Sequence, residues 1–358
     1  MKHKFLSILL FMQLSGCVQT QIIDEVQHIH SAGFDYLSDD AVEVTISVPL
    51  YRTENVLMSD TLSAVAATSR AARIKLNNQS PKRLHSGKLK SLLVNIELAE
   101  KEGILSILDA FTRDPTIGLQ NKICIVEGTV NDLLSSKYEH EEEVSTYIEE
   151  LLRHNMEAQN IPKTNLYIFL NQYYGLGQDP YLPILRKHNN SIELSGIALL
   201  RGDRYVEKIN VSDSFLLKLL CQPFNHGEYE IELREQDEYA MIRNVNAKPS
   251  YQIEKNTNKP QIDIHLKMSV QVIEYSGNEI SDEKLNEIHT QFKQDIREQS
   301  QALFQKLQQL HVDPIGLGGK VQAHNPHFIF EEWDDYYMNE LIISIHPDIT
   351  FLDKGVKK

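Results

Sequence analysis

The most constraining feature of the sequence is a change of hydrophobic period between residues 262 and 310. Apolar side chains first recur at every second position, which predicts a long strand with one buried face: Ile262, Ile264, Leu266, Met268, Val270 and Val272. They then recur at spacings near three, four and seven, which predicts an amphipathic helix: Leu285, Ile288, Phe292, Ile296, Leu303, Leu307 and Leu310.

The long helix has a recognisable start and end. Ser281 is suited to cap it, and Asp282 and Glu283 place negative charge in its first turn. It should end near Asp313-Pro314 because proline cannot continue a helix, which gives a length of about 45 Å. A strand-rich sheet from Tyr229 onward, closed by a strand over 341–345 and crossed by this helix, predicts an α+β domain.

Residues before 140 alternate strand and helix patterns. Strands are predicted over 42–48, where Pro49 ends the pattern, and over 92–96 and 123–126; helices are predicted over 61–76 and 97–111. This order of elements predicts an α/β domain.

The next region mixes shorter elements. It predicts a helix over 141–156, a strand over 166–170, a loop over 173–183, a hairpin that turns at Gly202-Asp203 and a helix over 213–221. Because the chain is too long for one ordinary core, we predict a multi-domain α+β fold. Its parts are a signal peptide (1–16), an N-terminal α/β domain (17–140), a small middle α/β domain (141–222) and a C-terminal α+β domain (223–358). The last is expected to be an antiparallel-rich sheet packed on the long helix.

The amino terminus has the parts of an export signal. Lys2 and Lys4 precede an apolar run over 5–14, which is too short to span a bilayer, and Leu14-Ser15-Gly16-Cys17 follows at once. This order matches the lipobox of bacterial lipoproteins, so we predict cleavage before Cys17 and an S-diacylglyceryl group on its thiol, after which the new amino group can be acylated. The alternatives are an ordinary signal with an incidental cysteine, or a buried amino-terminal helix.

The charge balance restricts the partners of the mature chain. Without Lys2 and Lys4 the chain has 34 basic and 50 acidic residues, a net charge of −16. Such a chain repels nucleic acid and anionic headgroups, so no nucleic-acid partner is expected and electrostatics cannot hold the protein on a membrane. Two acyl chains on Cys17 can do so, which makes membrane lipid the first predicted partner.

The remaining cysteines, Cys124 and Cys221, both lie in apolar stretches. A disulfide would require them to approach one another, which sequence cannot show. Two buried free thiols are the preferred interpretation.

Several motifs contain residue types that occur in chemical sites. Gly316-Leu317-Gly318-Gly319 follows a helix instead of a strand and opens no obvious helix, so it is interpreted as a turn and not as a phosphate loop. The histidine pairs, His28 with His30 and His324 with His327, lack further metal ligands at suitable spacing and are interpreted as solvated loop residues.

An acidic cluster lies near the carboxyl terminus: Glu331, Glu332, Asp334 and Asp335. It lacks the alternating oxygens and glycine of a calcium loop, so we interpret it as a solvated rim around the packed aromatic residues Trp333, Tyr336 and Tyr337. The sequence has no Gly-x-Ser-x-Gly elbow and no defensible catalytic pair of carboxylates. We therefore expect no catalytic, cofactor-binding or metal site.

The ordered set of motifs resembles the Ger(x)C lipoproteins, the C subunits of nutrient germinant receptors in spore-forming Gram-positive bacteria. The set consists of the lipobox at Cys17, Gly33-Phe34-Asp35, Thr112-Arg113-Asp114-Pro115, Val126-Glu127-Gly128, Ser195-Gly196-Ile197-Ala198-Leu199-Leu200 before Asp203-Arg204, Asp313-Pro314-Ile315-Gly316-Leu317-Gly318, and Trp333. The resemblance spans nearly the whole mature chain. One departure is Val18-Gln19, where the family usually has Trp-Asp.

The resemblance implies a germination protein with a three-domain α+β body. It also implies lipid anchoring on the outer face of the spore inner membrane, beside a membrane-embedded A subunit and a transporter-like B subunit. The two alternative classes are a lipid-anchored solute-binding protein of a transporter, which should have two α/β lobes around a cleft, and a surface hydrolase, which should show a nucleophile or metal set. A non-catalytic receptor subunit is the preferred prediction.

Overall fold

A computed structural model provides the architecture. It describes residues 25–51, 57–138, 143–158, 160–233, 238–254, 261–277, 280–325 and 328–352. Within these ranges the chain forms an eight-stranded sheet, a four-stranded sheet and a two-stranded ribbon, with helices packed on them. The predicted multi-domain α+β class is confirmed.

The first sheet is mixed. Its strands are β2 (Ser31–Ser38), β3 (Ala41–Tyr51), β4 (Leu57–Ala66), β6 (Ser91–Asn95), β7 (Lys122–Glu127), β8 (Tyr181–His188), β9 (Ser191–Arg201) and β10 (Arg204–Ile209). They lie in the order β10-β9-β8-β7-β6-β2-β3-β4. The four central strands, from β8 to β2, run parallel, and the outer strands pair antiparallel. Two further short strands, β1 (Val26–His28) and β5 (Arg83–His85), form the ribbon.

Strands from both the predicted N-terminal and middle regions belong to this one sheet. The joining pair is β7 with β8, which aligns Ile125 with Ile184 in parallel register. The expected separation near residue 140 is therefore not seen in the sheet, because β8 to β10 continue the sheet that β2 begins.

Helices cover both faces of this sheet. They are α1 (Ser69–Asn77), α2 (Ile96–Lys101), α3 (Leu105–Thr112), α4 (Val130–Ser135), α5 (Val144–Ala158), α6 (Leu166–Tyr174) and α7 (Val211–Cys221). The core divides by face: Ile123 and Ile125 of β7 pack with α1, α2, α3 and α6, whereas Cys124 and Val126 pack with α4, α5 and α7. The alternation along a strand thus assigns neighbouring residues to different cores.

Three predictions in this part were wrong. Residues 166–170 form a helix instead of a strand, with the Asn165 side chain accepting from Ile168 N at 2.8 Å. Residues 61–66 belong to β4 because they pair along β3, and α1 starts only at Ser69. The predicted helix over 97–111 is interrupted at Gly103, which adopts a left-handed φ of 79°.

The C-terminal sheet and its helix follow the predicted plan. β11 (Glu228–Leu233), β12 (Glu238–Ile253), β13 (Ile262–Tyr275) and β14 (Ile343–Phe351) lie in that order, with β13 and β14 parallel and the other pairs antiparallel. The alternating apolar side chains of β13 are buried. Helix α8 (Asp282–Gln309) is capped by Ser281 and packs on β11, β14 and α7.

One continuous core joins the two sheets. The apolar face of α8, both faces of α7 and one face of the first sheet contribute to it. After α8 come α9 (Leu317–His324), a 3-10 turn (Phe330–Glu332) and α10 (Trp333–Asn339). None of the helices in the described ranges has the length and apolar character needed to cross a membrane.

Candidate functional site

The predicted lipidation site, Cys17, lies outside the described residues, so the structure bears on it only through the contacts of the first described residues. The first strand, β1, pairs in parallel with β5, matching Val26 with Arg83 and His28 with His85. The Gln27 side chain donates to the carbonyl oxygen of Pro49 at 3.1 Å. The segment that follows Cys17 therefore joins the body beside β5 and the outer end of β3.

This region is basic, in contrast to the chain as a whole. Lys82, Arg83 and Lys88 are exposed, and none of them forms an ion pair with a carboxylate in the described part of the chain. We call β1 together with residues 82–88 the anchor-proximal face. The net charge of −14 is a sum over the full chain, so it does not reveal this local excess of positive charge.

The interpretation of His28 and His30 as solvated loop residues was wrong. His28 lies in β1, and burial, followed by the charges of Lys88, His85 and His30, lowers the pKa of its imidazole. His30 is 6% exposed, and its Nδ1 lies 3.1 Å from Glu143 Oε2. His324 is exposed and contacts the Lys320 carbonyl at 2.9 Å, while His327 is outside the described residues.

Glu143 is the centre of a buried polar network. Its Oε2 accepts from Thr146 N at 3.1 Å and Thr146 Oγ1 at 2.7 Å, and Lys90 Nζ lies 3.7 Å away. Burial raises the pKa of this carboxyl, but hydrogen bonds from His30, Thr146 and Ser145 together lower it by more. The net result is a pKa of about 2. Glu143 thus fixes the start of α5 against the region that precedes β2.

We predict that Glu143→Gln destabilises the protein in a pH-dependent manner. A pKa lowered from 4.5 to about 2 corresponds to about 3 kcal/mol of stability at neutral pH. Because the folded-state pKa is depressed, this contribution is complete above pH 4.5 and is lost as the pH falls toward 2.

Urea unfolding at several pH values checks this prediction. Glu149→Gln is the control, because Glu149 is 41% exposed and also lies 3.7 Å from Lys90; its effect should stay within about 0.5 kcal/mol. A Glu143→Gln deficit that does not shrink between pH 6 and pH 3.5, values chosen to bracket roughly the unfolded pKa, would rule out ionisation as its cause.

The Gly33-Phe34-Asp35 motif holds α4 on the first sheet. The carboxylate of Asp35 accepts from Val130 N at 2.7 Å and Asn131 N at 2.9 Å. A Cβ at position 33 would lie 2.1 Å from Val130 Cγ1, so only glycine permits this approach. Both residues act through packing and helix capping.

The Asp203-Arg204 motif performs a similar role at the corner between α2 and α3. Asp203 Oδ2 accepts from Leu105 N at 3.0 Å, and the Asp203 carbonyl accepts from Ile104 N at 3.1 Å. Arg204 donates to the carbonyl of Lys101 at the end of α2. The predicted hairpin turn at Gly202-Asp203 is confirmed, and its side chains fasten two helices to the sheet edge.

The Asp313-Pro314 motif joins the first sheet to the C-terminal part. Asp313 accepts from Gly316 N and Gly318 N, each at 2.9 Å, and its own N–H donates to Asp179 Oδ2 at 2.8 Å. The other oxygen of Asp179 accepts from Gly202 N at 2.9 Å. Contrary to expectation, a helix does follow the glycines: α9 begins at Leu317.

This helix start is already occupied by a carboxylate. Asp313 takes the backbone N–H groups that a phosphate would need, so the glycine segment is a junction and not a phosphate loop. Burial raises the pKa of Asp313 to about 7, against hydrogen bonds from Gly318 and Leu317 that lower it. A Cβ on Gly318 would lie 2.7 Å from both Gly177 Cα and Trp333 Nε1, which explains the close packing here.

The acidic cluster near Trp333 has the predicted arrangement. Its four carboxylate residues are exposed, whereas Trp333, Tyr336 and Tyr337 are buried. Tyr337 Oη donates to the Val312 carbonyl at 2.8 Å, so the aromatic group supports the Asp313 junction. Within the described residues there is no group of three or more His, Cys, Asp or Glu side chains that could hold a metal ion.

The two body cysteines are free thiols, as predicted. Cys124 is fully buried, and burial raises the pKa of its thiol well above the usual range. Cys221 is half-buried, its Sγ lies 3.5 Å from the Pro314 carbonyl oxygen, and burial raises its pKa to about 12. Neither thiol is ionised at neutral pH, so neither is a reactive nucleophile.

Comparison with known proteins covers nearly the whole chain. Residues 19–187 match the family model described as spore germination protein N-terminal domain, and residues 195–355 match the model described as spore germination B3/GerAC like, C-terminal. The two matched regions meet in the β8–β9 hairpin, inside the first sheet.

Two relatives and one solved structure agree with these matches. The chain is 28% identical over 359 residues to the spore germination protein GerQC of Bacillus cereus, covering 99% of both chains. It is 20% identical over 381 residues to the putative spore germination protein YfkR of Bacillus subtilis, covering 98% of this chain and 96% of that one. The crystal structure of the GerBC protein matches with a TM-score of 0.61 at 14% identity, over 90% of this chain and 97% of that chain, and so shares its fold. The chain therefore belongs to the Ger(x)C family of spore germination proteins.

Proposed function

We propose that this protein is the non-catalytic, lipid-anchored C subunit of a nutrient germinant receptor. It is held on the extracytoplasmic face of the spore inner membrane by a diacylglyceryl group on Cys17 and works beside the A and B membrane subunits. The observation that carries the proposal is the position of the family match, which starts at residue 19, two residues after the lipobox cysteine. The matched body thus begins within two residues of the start that cleavage before Cys17 would give the mature chain.

The anchor-proximal face supports this arrangement. Residues 18–24 separate Cys17 from the first described residue, so an extended segment of about 28 Å is the longest connection available. Lys82, Arg83 and Lys88 are exposed on the surface that this segment joins. Each cation near an anionic leaflet contributes about 1 kcal/mol, so this face should turn toward the headgroups although the chain is acidic overall.

The solute-binding alternative has less support from the architecture. It requires two α/β lobes around a cleft with convergent polar groups. Instead, the first sheet and the C-terminal sheet share one continuous core through α7 and α8. At the junction between them, the Asp179 carboxylate accepts from Asp313 N and the Asp313 carboxylate accepts from Gly318 N.

Co-purification from spore membranes tests the proposed function. We expect an affinity-tagged chain, extracted in mild detergent, to retain two integral membrane proteins encoded beside it, and deletion of its gene to abolish germination triggered by the cognate nutrient. A tagged, unrelated spore lipoprotein is the control for detergent carry-over. Recovery of the chain alone, together with normal nutrient germination in the deletion strain, would contradict the receptor role.

A further inference from the structure

A cavity of about 350 Å³ lies between the first sheet and helices α1 and α3. Its interior is lined by apolar side chains that include Ala32 and Phe34 of β2, Val44 and Ile46 of β3, Leu76 of α1 and Phe111 of α3. Small-molecule sites start at about 300 Å³, and a cavity of about 150 Å³ already holds benzene. The space is therefore large enough for a small organic ligand.

The interior has an aromatic wall. Phe34 and Phe111 both line the cavity and pack edge to face against each other, with ring centroids 5.7 Å apart. Such aromatic pairs accept a further apolar group by the same edge and face contacts. Protein interiors rarely leave voids of this size unfilled, because an empty cavity costs stability in proportion to its volume.

The mouth of the cavity carries three guanidinium groups. Arg70 and Arg73 project from α1, and Arg113 follows α3. Arg70 has no ion pair within the described ranges, Arg73 Nη1 lies 4.0 Å from Asp114 Oδ2, and Arg113 Nε donates to Asp109 Oδ2 at 2.7 Å. With three cations and two carboxylates the rim is positive. Arg73 Nη2 also donates to the Leu84 carbonyl oxygen at 3.5 Å, and the side chains of Arg73 and Arg113 are 46% and 70% exposed.

Asp114 is part of the rim and keeps its charge. Burial raises the pKa of its carboxyl, but hydrogen bonds from Thr116 and the charges of Arg73 and His85 lower it below the ordinary value. Its Oδ1 accepts from Thr116 Oγ1 at 2.6 Å and Thr116 N at 3.0 Å. Asp114 is therefore occupied in shaping the loop after α3, which places Arg113 at the opening.

We propose that this cavity binds a small amphipathic anion, with its apolar body against Phe34 and Phe111 and a carboxylate or phosphate head at Arg73 and Arg113. Guanidinium groups pair with both kinds of head through two parallel hydrogen bonds. The Thr112-Arg113-Asp114-Pro115 motif thereby gains a binding role that the receptor assignment alone does not give it. The chemistry is shared by a soluble organic acid and by an anionic membrane lipid, and the proposal does not depend on the anchor at Cys17.

Binding of 3-phenylpropanoate tests this proposal, with the neutral 3-phenylpropanamide as its matched probe. The mature chain in phosphatidylcholine nanodiscs is titrated by calorimetry, and hydrogen exchange over 69–77 and 105–117 reports the location. We expect the acid to bind at least tenfold more tightly than the amide and to slow exchange in both segments. Equal binding of the two probes, or binding of neither, overturns the proposal.

Variants separate charge recognition from fit. The double variant Arg73→Gln/Arg113→Gln should lose the tenfold preference for the acid, whereas Arg153→Gln, which removes an exposed arginine paired with Glu157 on α5, should keep it. Ala32→Phe fills the interior without touching the arginines and should abolish binding of both probes. Retention of the preference in the double variant, or full binding in a folded Ala32→Phe protein, contradicts the assignment.

A comparison of nanodiscs with and without an anionic lipid identifies the source of the anion. Replacing part of the phosphatidylcholine by phosphatidylglycerol should weaken binding of 3-phenylpropanoate if an anionic lipid is the natural occupant, because the two compete for the same cavity. Unchanged binding in these nanodiscs assigns the cavity to a soluble organic acid. Both results support an amphipathic anion as the ligand class.

Discussion

Replacing Cys17 by alanine is expected to remove the mature protein from the membrane and to slow or abolish germination through the proposed receptor. The substitution keeps Lys2, Lys4 and the apolar run over 5–14, so export should still begin. It removes the thiol that we propose accepts the diacylglyceryl group. The protein should therefore remain as an uncleaved precursor or leave the membrane fraction.

The magnitude of the effect follows from comparing the two forces that act at the membrane. Two acyl chains gain about 0.8 kcal/mol for each buried methylene and give stable anchoring. Lys82, Arg83 and Lys88 on the anchor-proximal face contribute about 1 kcal/mol each at most, and the rest of the acidic chain opposes them. The charges can orient an anchored body but cannot replace the anchor. Loss of the lipid should therefore lower the effective concentration of the protein beside its membrane partners.

Membrane fractionation, germination assays and mass spectrometry of the mature protein check this prediction. Cys221→Ala is the control, because it removes a half-buried thiol on α7 and should leave fractionation unchanged. If Cys17→Ala protein stays with the membrane through its partners and germination is normal, the lipid is dispensable. Absence of a lipid on the wild-type protein would refute the anchor itself.

Where a pattern depends on local periodicity, the sequence predicted the structure well. β13 and α8 each bury one face against the same core, so periods of two and 3.6 are visible in the residues themselves. The helix cap at Ser281 and the hairpin at Gly202-Asp203 are likewise set by residues close in the chain. The predicted end at Asp313-Pro314 lies a few residues after the observed end at Gln309.

Elements whose conformation depends on distant partners were predicted poorly. Residues 61–66 look helical by composition, but pairing with β3 fixes them as a strand. The short apolar run after Asn165 fits a strand or a helix equally. The Asn165 side chain caps the amino terminus of this run and so favours the helix. The single eight-stranded sheet requires β7 to pair in parallel with β8, although α4, α5 and α6 lie between them in the chain, and no local signal reveals this pairing.

The candidate sites show the same division. Cys17 is predicted from a contiguous motif, whereas the anchor-proximal face and the cavity are assembled from segments far apart in the chain. Arg73 and Arg113 meet at the cavity only because α1 and α3 pack on the same face of the first sheet. The Glu143 network was missed for a similar reason, since His30 and Glu143 are 113 residues apart.

Ile296→Asp is expected to unfold the C-terminal part of the protein or to expose it to degradation. Ile296 is fully buried in the middle of α8, in the core shared with β13, β14 and α7. Aspartate there removes most of the apolar contact and buries a carboxylate among the apolar side chains of this core. These two effects should cost at least about 4 kcal/mol, a large part of the roughly 5–15 kcal/mol that stabilises a typical domain.

Two further variants on the same helix make the cost specific to burial. Gln299→Asp adds the same charge at an exposed position of α8 and should change stability by less than about 0.5 kcal/mol. Ile296→Val keeps the site apolar and should cost about 0.5–1.5 kcal/mol. Thermal melting and limited proteolysis of the three proteins should give the order Gln299→Asp, Ile296→Val, Ile296→Asp from most to least stable.

Because α8 and α7 share one core with the first sheet, loss of α8 packing should also weaken the Asp313 junction. Cleavage by protease should then extend into residues 310–319. An Ile296→Asp protein that melts like the wild type would mean that the apolar stripe of α8 does not support the fold.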